Sequence, residues 1–280
     1  MATDVSLSHT RFSWAAILRF KKPLKRIALL ALAIYFIPYI FAVFVALGLW
    51  DVSRNRDKSL ATLDRYFFGN GLFTWLLSPF NLLLDVLCLP YRNKGIYELS
   101  DLPQPWQDEI QDMLQAAHEH DLVGQLQSKL GDRGRGMIFF KWYGKNMPAS
   151  VVIPDFHRPH RYIRTIGVSI FNKKQSTGKH FGPLRVTLRL LYNINRINSD
   201  DVYIQVGDHT HRWRENPLFI FDDTLQHQSC NQSDEVRYCL FVDILRPSLV
   251  RPLMSGTLSC VRLLVAPFNS VFYKKWSFMK

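Results

Sequence analysis

Histidines in the second half of this chain are spaced in ways that could hold a metal ion. Nine are present, and His118 with His120 and His209 with His211 form two H-x-H pairs. On an extended strand that spacing turns both rings to one face. A metal centre also needs further ligands and a supporting shell of hydrogen bonds, so each pair by itself reads as solvated histidines. His180 and His227 keep different company. His180 lies in S-I-F-N-K-K-Q-S-T-G-K-H-F-G-P, residues 169–183, and His227 in W-R-E-N-P-L-F-I-F-D-D-T-L-Q-H-Q, residues 213–228. The chain then runs through Arg237 to V-D-I-L-R-P, ending at Pro247. The four cysteines, Cys88, Cys230, Cys239 and Cys260, form no C-x-x-C pair. A zinc knuckle is therefore not expected, and a disulfide framework has no support.

This ordered set resembles the aspartyl/asparaginyl β-hydroxylase family. That family runs through H-x-G-P or H-x-D, L-R-x-H-L-G-L, W-x-x-G, F-D-D-S-x-x-H-E, an arginine ten residues after the histidine, and V-D-x-x-x-P. The likeness covers roughly residues 160–247, and F-D-D-T-x-x-H with Arg237 and V-D-I-L-R-P is its most specific part. The lipid A acyl-chain 2-hydroxylases are similar in layout, with an apolar amino-terminal anchor and a K-W-Y-G stretch, here residues 141–144. The resemblance implies a double-stranded β-helix, and Fe(II)- and 2-oxoglutarate-dependent hydroxylation with O2. It implies His180 and His227 as iron ligands, Arg237 as the cation for the distal carboxylate of 2-oxoglutarate, and Ser169 as a second contact to that carboxylate. Imidazole suits iron, and a guanidinium grips a carboxylate through two parallel hydrogen bonds. Two positions depart from the pattern. Gly182 stands where H-x-D places its carboxylate, which leaves that coordination place to water, and Leu191 stands where L-R-x-H has its histidine, although Arg189 is kept. Asp222 and Asp223 are expected as a hydrogen-bonding turn that fixes the His227 loop, Asp243 as a buried acceptor, and Trp142 and Trp213 as core anchors.

The elements that must position these groups are mostly strands. MIFFKWYG, YIRTIGVSIF, RVTLRLLYNI, DVYIQV, PLFIFDD and VRYCLFVDI are short and rich in β-branched and aromatic residues. KKQSTGK, NRINSDD and QSCNQSD read as the turns between them. Six strands with no helix between them argue for an antiparallel barrel or jelly roll. Ahead of them, residues 107–122 carry Ile110, Met113, Leu114 and Ala117 at i, i+3, i+4, i+7 spacing, a helix with one apolar face. Residues 27–50 hold 24 positions without a charged side chain, and about 20 apolar residues suffice to cross a bilayer as helix. A second apolar stretch, residues 72–91, contains Pro79, Asn81 and Asp85, and is a second crossing, a re-entrant hairpin or an interfacial helix.

The expected fold is therefore mainly β, a jelly roll with one or two amino-terminal membrane helices and a short α-helical region. Residues 1–26 form a basic flank, 27–91 a membrane anchor, 92–136 a helical linker, 137–250 the barrel and 251–280 an apolar and basic tail, interfacial or packed on the barrel. The chain has 280 residues and 48% hydrophobic content, which excludes wholesale disorder. Lys and Arg number 35 against 23 Asp and Glu, a net charge of +12. That balance suits an anionic membrane surface or nucleic acid. No nucleic-acid recognition signature is visible, so nucleic acid is not expected as a partner. The flank before Ile27 carries six Lys or Arg against one Asp, which by the positive-inside rule sets it in the cytoplasm. The cosubstrates belong on the same side, so the barrel is expected to face the cytoplasm from a membrane, the inner membrane in a bacterium. The function expected is hydroxylation of an acyl chain of a membrane lipid. Hydroxylation of peptidyl Asp or Asn and a weakened, non-catalytic membrane scaffold are the alternatives.

Overall fold

In the strands both faces of the sheet carry large apolar side chains, because each face meets a different layer. The computed structural model describes residues 30–70, 73–130, 134–265 and 277–278, together with Leu24, Ile27 and Ala28. In chain order the described strands are β1 (Ile96–Tyr97), β2 (Arg135–Trp142), β3 (Lys145–Asn146), β4 (Ile163–Phe171), β5 (Gln175–Ser176) and β6 (Thr187–Asn193). They continue with β7 (Val202–Val206), β8 (His209–Arg212), β9 (Leu218–Phe221), β10 (His227–Asn231), β11 (Arg237–Leu245) and β12 (Ser277–Phe278). The larger sheet has the order β1-β9-β6-β11-β4-β2-β12, with β3 beside β2, and the smaller is β5-β10-β7-β8. Pairing is antiparallel except between β12 and β2. This is the two-sheet, jelly-roll arrangement expected.

Alternation along the strands assigns the two faces. Leu190, Leu240, Val242, Ile166, Val168 and Ile220 face one way, against Trp106, Ile110, Met113 and Ala117 of helix Gln104–Glu119. Leu191, Phe219, Phe221 and Cys239 face the other way, against Val202, Ile204, Val206 and Trp213. Arg237, Ser169, Arg189 and Asp243 share that second side by register, since Arg237 pairs with Phe171, Cys239 with Ser169 and Asp243 with Arg189. Helix Gln104–Glu119 is fixed by polar contacts as well. The Trp106 indole donates to the Leu245 carbonyl (2.7 Å), and Glu109 accepts the amides of Arg161, Tyr162 and Ile163. Residues 92–136 are thus no linker; they supply a core layer and an edge strand.

All six expected strands form. Two turn assignments fail in part: KKQSTGK contains β5, and QSCNQSD reads as a turn, yet its first half belongs to β10. Its polar side chains are used inside the sheet, where the Asn231 amide donates to the carbonyls of Phe171, Asn172 and Glu235.

The amino-terminal region divides. Met1–Ala46 forms one compact unit and Leu47–Lys280 another. In the first, residues 30–36 are helical, and a second helix, Pro38–Val52, runs on into the second unit. The proline supplies no amide, but on either side the pattern holds, with the Ile37 amide donating to Ala33 (3.0 Å) and that of Phe41 to Ile37 (2.9 Å). Ile34, Tyr35, Phe36, Tyr39, Ile40 and Val43 are exposed. Among the described residues no helix is long and apolar enough to cross a membrane. The start of the expected span at 27–50 lies partly outside the described residues.

The second apolar stretch is not a crossing. It breaks into Phe73–Leu76 and Ser78–Leu87, and the latter packs on the barrel. Leu84 and Cys88 are buried with Val186, Leu245, and Met254 and Leu258 of helix Arg251–Val265. The polar residues that interrupt the stretch are the reason. Asp85 pairs with Arg185 and with Arg246 (2.6 Å), and Asn81 bonds both Pro183 O (3.1 Å) and the Arg185 amide (2.9 Å). The tail through Val265 is likewise packed on the barrel, while the expected interfacial residues Phe272, Tyr273, Lys274, Lys275 and Trp276 lie outside the described residues.

Arg185, fully buried, gathers Asp51, Asp85 and Asp222 around one guanidinium. Removing it takes away the cation these three carboxylates share, two of which, Asp51 and Asp222, are buried. Arg185→Met is expected to destabilise the protein by about 3–5 kcal/mol, read as a lower midpoint in chemical denaturation, while Arg56→Gln, whose ion pair with Asp208 is exposed, should change it little.

Candidate metal and anion site

The stretch from Gly178 to Gly182 lies alongside residues 223–227, so two histidines 47 positions apart meet directly. The His180 amide donates to His227 O (3.0 Å) and the His227 amide to His180 O (2.9 Å). Their ring centroids are 4.2 Å apart, tilted by 51°. Each Nδ1 sits against a backbone carbonyl two residues earlier, Gly178 O for His180 (2.8 Å) and Leu225 O for His227 (2.9 Å). A carbonyl only accepts, so each Nδ1 carries the hydrogen and each Nε2 is left with a free lone pair. This is the second shell that metal-binding histidines need. Burial holds His180 below the ordinary imidazole range. Burial, and then the adjacent His180 ring, holds His227 well below it. Both rings are therefore neutral at physiological pH, the form that ligates.

The chain next to each histidine is pinned by an asparagine from the amino-terminal side of the barrel unit. Asn70 clasps Phe181, the residue after His180: its Nδ2 donates to Phe181 O (2.8 Å) and its Oδ1 accepts the Phe181 amide (3.1 Å). Asn55 Oδ1 accepts the amide of Gln226, the residue before His227 (2.8 Å). Asn55 and Asn70 escaped sequence reasoning; Asn81 and Asp85 had left a trace, as polar residues interrupting an apolar run.

The two aspartates before His227 differ in role. Asp222 is buried in a ring of donors: Arg54 (2.9 Å), Asn93 (2.6 Å), and the amide and hydroxyl of Thr224. Burial alone would raise its pKa, but Arg54 and Arg185 outweigh that and hold it well below the usual carboxylate range. This is the turn-fixing role expected. Asp223 does something else. Its carboxyl group occupies the space that a side chain on Gly182 would enter: a Cβ there would lie 2.5 Å from Asp223 Cγ. Gly182 also donates its amide to Asp223 O (2.7 Å). The space beside Gly182 is thus filled by a carboxyl group from the neighbouring segment. Burial pushes Asp223 up to about 7, against the pull of Arg189 at 2.9 Å. Arg189 lies over the Phe241 ring and also pairs with Asp243 (2.7 Å), which is the buried acceptor expected.

Arg237 is 1% exposed, and its Nε and Nη1 have no hydrogen-bond partner. It stands over Phe171 (4.3 Å to the ring centroid) and Trp213 (5.5 Å). No carboxylate pairs with it among the described residues. The nearby Cys239 thiol is pushed up to about 11 by burial, so it stays protonated and offers no charge. Ser169, buried two residues from Phe171 on β4, donates from Oγ to Cys239 O (3.3 Å). The wall between the two halves of the site is aromatic: Phe221 lies 5.1 Å from the His227 ring and shares a buried cluster with Trp213 and Cys239. Leu191 belongs to that cluster, so its position is apolar packing here.

The H-x-H pairs take no part. His118 Nε2 meets the Tyr192 hydroxyl, and His211 Nε2 meets Asn216 O. Among the described residues no group of three or more His, Cys, Asp or Glu stands ready to hold a metal. What the described residues bring together here is a pair of imidazoles.

The model of the aspartyl/asparaginyl β-hydroxylase family matches residues 107–247 of this chain. The chain belongs to that family. An ornithine lipid ester-linked acyl 2-hydroxylase of Rhizobium tropici is 35% identical over 86 residues, which make up 30% of this chain and 31% of the relative. The match thus spans less than a third of that relative. Solved structures similar to the chain include a 2OG-Fe(II) oxygenase family oxidoreductase of Burkholderia pseudomallei, at 12% identity, 46% of this chain, 80% of that one and a TM-score of 0.29. A cupin of Methanocaldococcus jannaschii with a double-stranded β-helix fold is 12% identical over 31% of this chain and 74% of its own, with a TM-score of 0.25.

Three outcomes follow from this geometry. Co(II) titrated into the purified protein should give a saturable d–d spectrum that His180→Ala or His227→Ala abolishes. Asn70→Ala should weaken Co(II) by about 10- to 100-fold, as loss of a supporting shell does. Gly182→Ala should displace Asp223 and lower thermal stability, and adding Asp223→Gly to it should recover part of that loss.

Proposed function

We propose that the protein is an Fe(II)- and 2-oxoglutarate-dependent hydroxylase that acts on an acyl chain of a membrane lipid. The observation that carries the reading is the fully buried Arg237, whose Nε and Nη1 lack any acceptor. A buried guanidinium without a counter-ion is costly, and a cosubstrate carboxylate would supply one through two charge-assisted hydrogen bonds. Arg237 and Ser169 would hold the distal carboxylate of 2-oxoglutarate, and His180 and His227 would hold Fe(II) through the Nε2 atoms left free by their carbonyl contacts. Bound iron would supply the activation of O2 that hydroxylation requires. The chain's own part is to bind, orient and exclude water. The apolar wall of Phe219, Phe221, Leu191 and Trp213 keeps the interior dry. Asp223, with a pKa near 7, can carry a proton beside position 182, and Arg189 fixes its direction.

A lipid substrate is supported by the Rhizobium tropici relative, an ornithine lipid ester-linked acyl 2-hydroxylase. It is supported too by the exposed apolar side chains of residues 34–50, among them Tyr35, Phe36, Tyr39 and Trp50, which suit a bilayer or its interface. We place the segment from Ile27 to Trp50 in the membrane and the barrel on the cytoplasmic side.

Detergent-solubilised protein with Fe(II) should convert 2-oxoglutarate to succinate, and Arg237→Leu should abolish this by raising the Km for 2-oxoglutarate without removing Co(II) binding. Lipid mass spectrometry of a deletion strain should lose a species 16 Da heavier than its parent; loss instead of a hydroxylated Asp or Asn from a protein would favour the peptidyl activity. No succinate above background from the wild type would leave a scaffold. A reporter fused after Lys280 that works only outside the cytoplasm would overturn the sidedness.

A further inference from the structure

Away from the barrel interior, at the end of β2 and β4, a cleft of about 330 Å³ is lined by Lys141, Gly144, Asn146, His157, Arg158, His160 and Arg164. Lys141 pairs across the strands with Ile166, which faces helix Gln104–Glu119, so the cleft lies on the other face of the sheet from Arg237 and Ser169. It is a gathering of cations. Lys141 is 4% exposed, and its Nζ lies 2.6 Å from Arg158 O and 2.7 Å from His160 Nδ1. An ammonium only donates, so His160 Nδ1 accepts and its hydrogen is on Nε2. That Nε2 is buried with no partner, and so is Arg164 Nε. A further cation comes from the carboxyl-terminal helix: Arg262 Nη1 reaches Tyr143 O (3.1 Å). Arg164 Nη1 and Arg262 Nη1 converge on one point, 3.8 and 3.9 Å from where a side chain on Gly144 would begin. Gly144, at φ +82°, has no such side chain, so the space stays open.

The acidic groups nearby are already committed. Glu109 accepts three backbone amides, while Asp112 (3.0 Å) and Asp155 (3.8 Å) both pair with Arg158. Lys141, Arg164 and Arg262 pair with no carboxylate among the described residues. Like charges held this close, with N–H groups lacking acceptors, call for an anion with several oxygens.

We propose that this cleft binds a phosphate-class oxyanion, held by Lys141, His160, Arg164 and Arg262. Its source is either a phospholipid head group or free phosphate; the site is separate from the proposed iron site and does not depend on it. Burial pushes the Lys141 ammonium down to about 8 and the His160 ring to about 4, and a bound anion would draw both back up. The arrangement suits a protein proposed to work at a bilayer, because an anchored head group would fix the barrel's orientation over the membrane.

The test uses the full chain in micelles of an uncharged sugar detergent at constant ionic strength. Sodium phosphate, sodium chloride and micelles doped with phosphatidylglycerol or with an uncharged diacylglycerol are titrated in turn, reading thermal midpoint and heat of binding. Saturable stabilisation by phosphate but not chloride supports the cleft with free phosphate as ligand. Saturation by phosphatidylglycerol but not by diacylglycerol supports it with the head group as ligand. In either case Arg262→Gln and Arg164→Gln should weaken the interaction at least about tenfold, the scale of one charge-assisted contact. No saturable response of the wild type to either probe overturns the proposal, and so does a response that both variants retain at full strength. Arg262→Gln, on the carboxyl-terminal helix, carries the assignment to the cleft if Arg164→Gln fails to fold.

Discussion

Two backbone hydrogen bonds hold the site together. The amide and carbonyl of His180 exchange with those of His227, and without that exchange the two rings would belong to different loops. A backbone pair of this kind fixes position and direction together, because both residues are locked into extended geometry and their side chains leave the same side. The next contacts outward set the rings. A carbonyl two residues before each histidine selects the tautomer, so one local geometry is used twice. The cost of folding two irregular segments against each other is met elsewhere, by side chains that take over backbone groups the sheet cannot satisfy.

Those side chains come from outside the part of the chain that matches the family. Asn55, Asn70 and Asn81 precede residue 107, yet each bonds main-chain atoms in the segments that carry or follow the histidines. The buried guanidinium of Arg185 ties the same region to Asp222, one residue before Asp223. The region read as anchor is therefore, from residue 47 on, part of the barrel unit. A structural consequence is that strain or disorder in residues 51–85 would reach the histidine loops through a handful of named hydrogen bonds. The coupling is short and physical, and it needs no long pathway.

The sequence was informative where a residue's burden is carried by pattern. Six strands, the helix with Ile110 and Met113, and the pairing of His180 with His227 were legible, because alternation and the F-D-D-T-x-x-H block are local signals. β10 was hidden because its residues are polar, and only the three-carbonyl grip of Asn231 shows why such a strand is stable. The docking of residues 73–87 was hidden because an apolar run with one face buried looks, by composition, like one bound for lipid. Asn81 and Asp85 were the discriminating residues, and their meaning depends on partners about a hundred positions away. The filling of the Gly182 gap by Asp223 was out of reach for the same reason: the substitution is made in space, from another segment.

Arg185 and Arg237 show how burial must be read with partners rather than alone. Both guanidinium groups are buried to within 1%. Around Arg185 stand Asp51, Asp85 and Asp222, so its charge is already compensated and its role is to hold segments together. Around Arg237 stand two aromatic faces, a protonated thiol and no carboxylate. Aromatic faces attract a cation, but only by about 0.5–2 kcal/mol each, well short of the several kcal/mol needed to desolvate an ion. The imbalance falls on the folded protein until an anion arrives, and then it turns into affinity for that anion. The same reasoning separates Arg158, which ion-pairs with two acids, from Arg164 and Arg262, which pair with no carboxylate among the described residues.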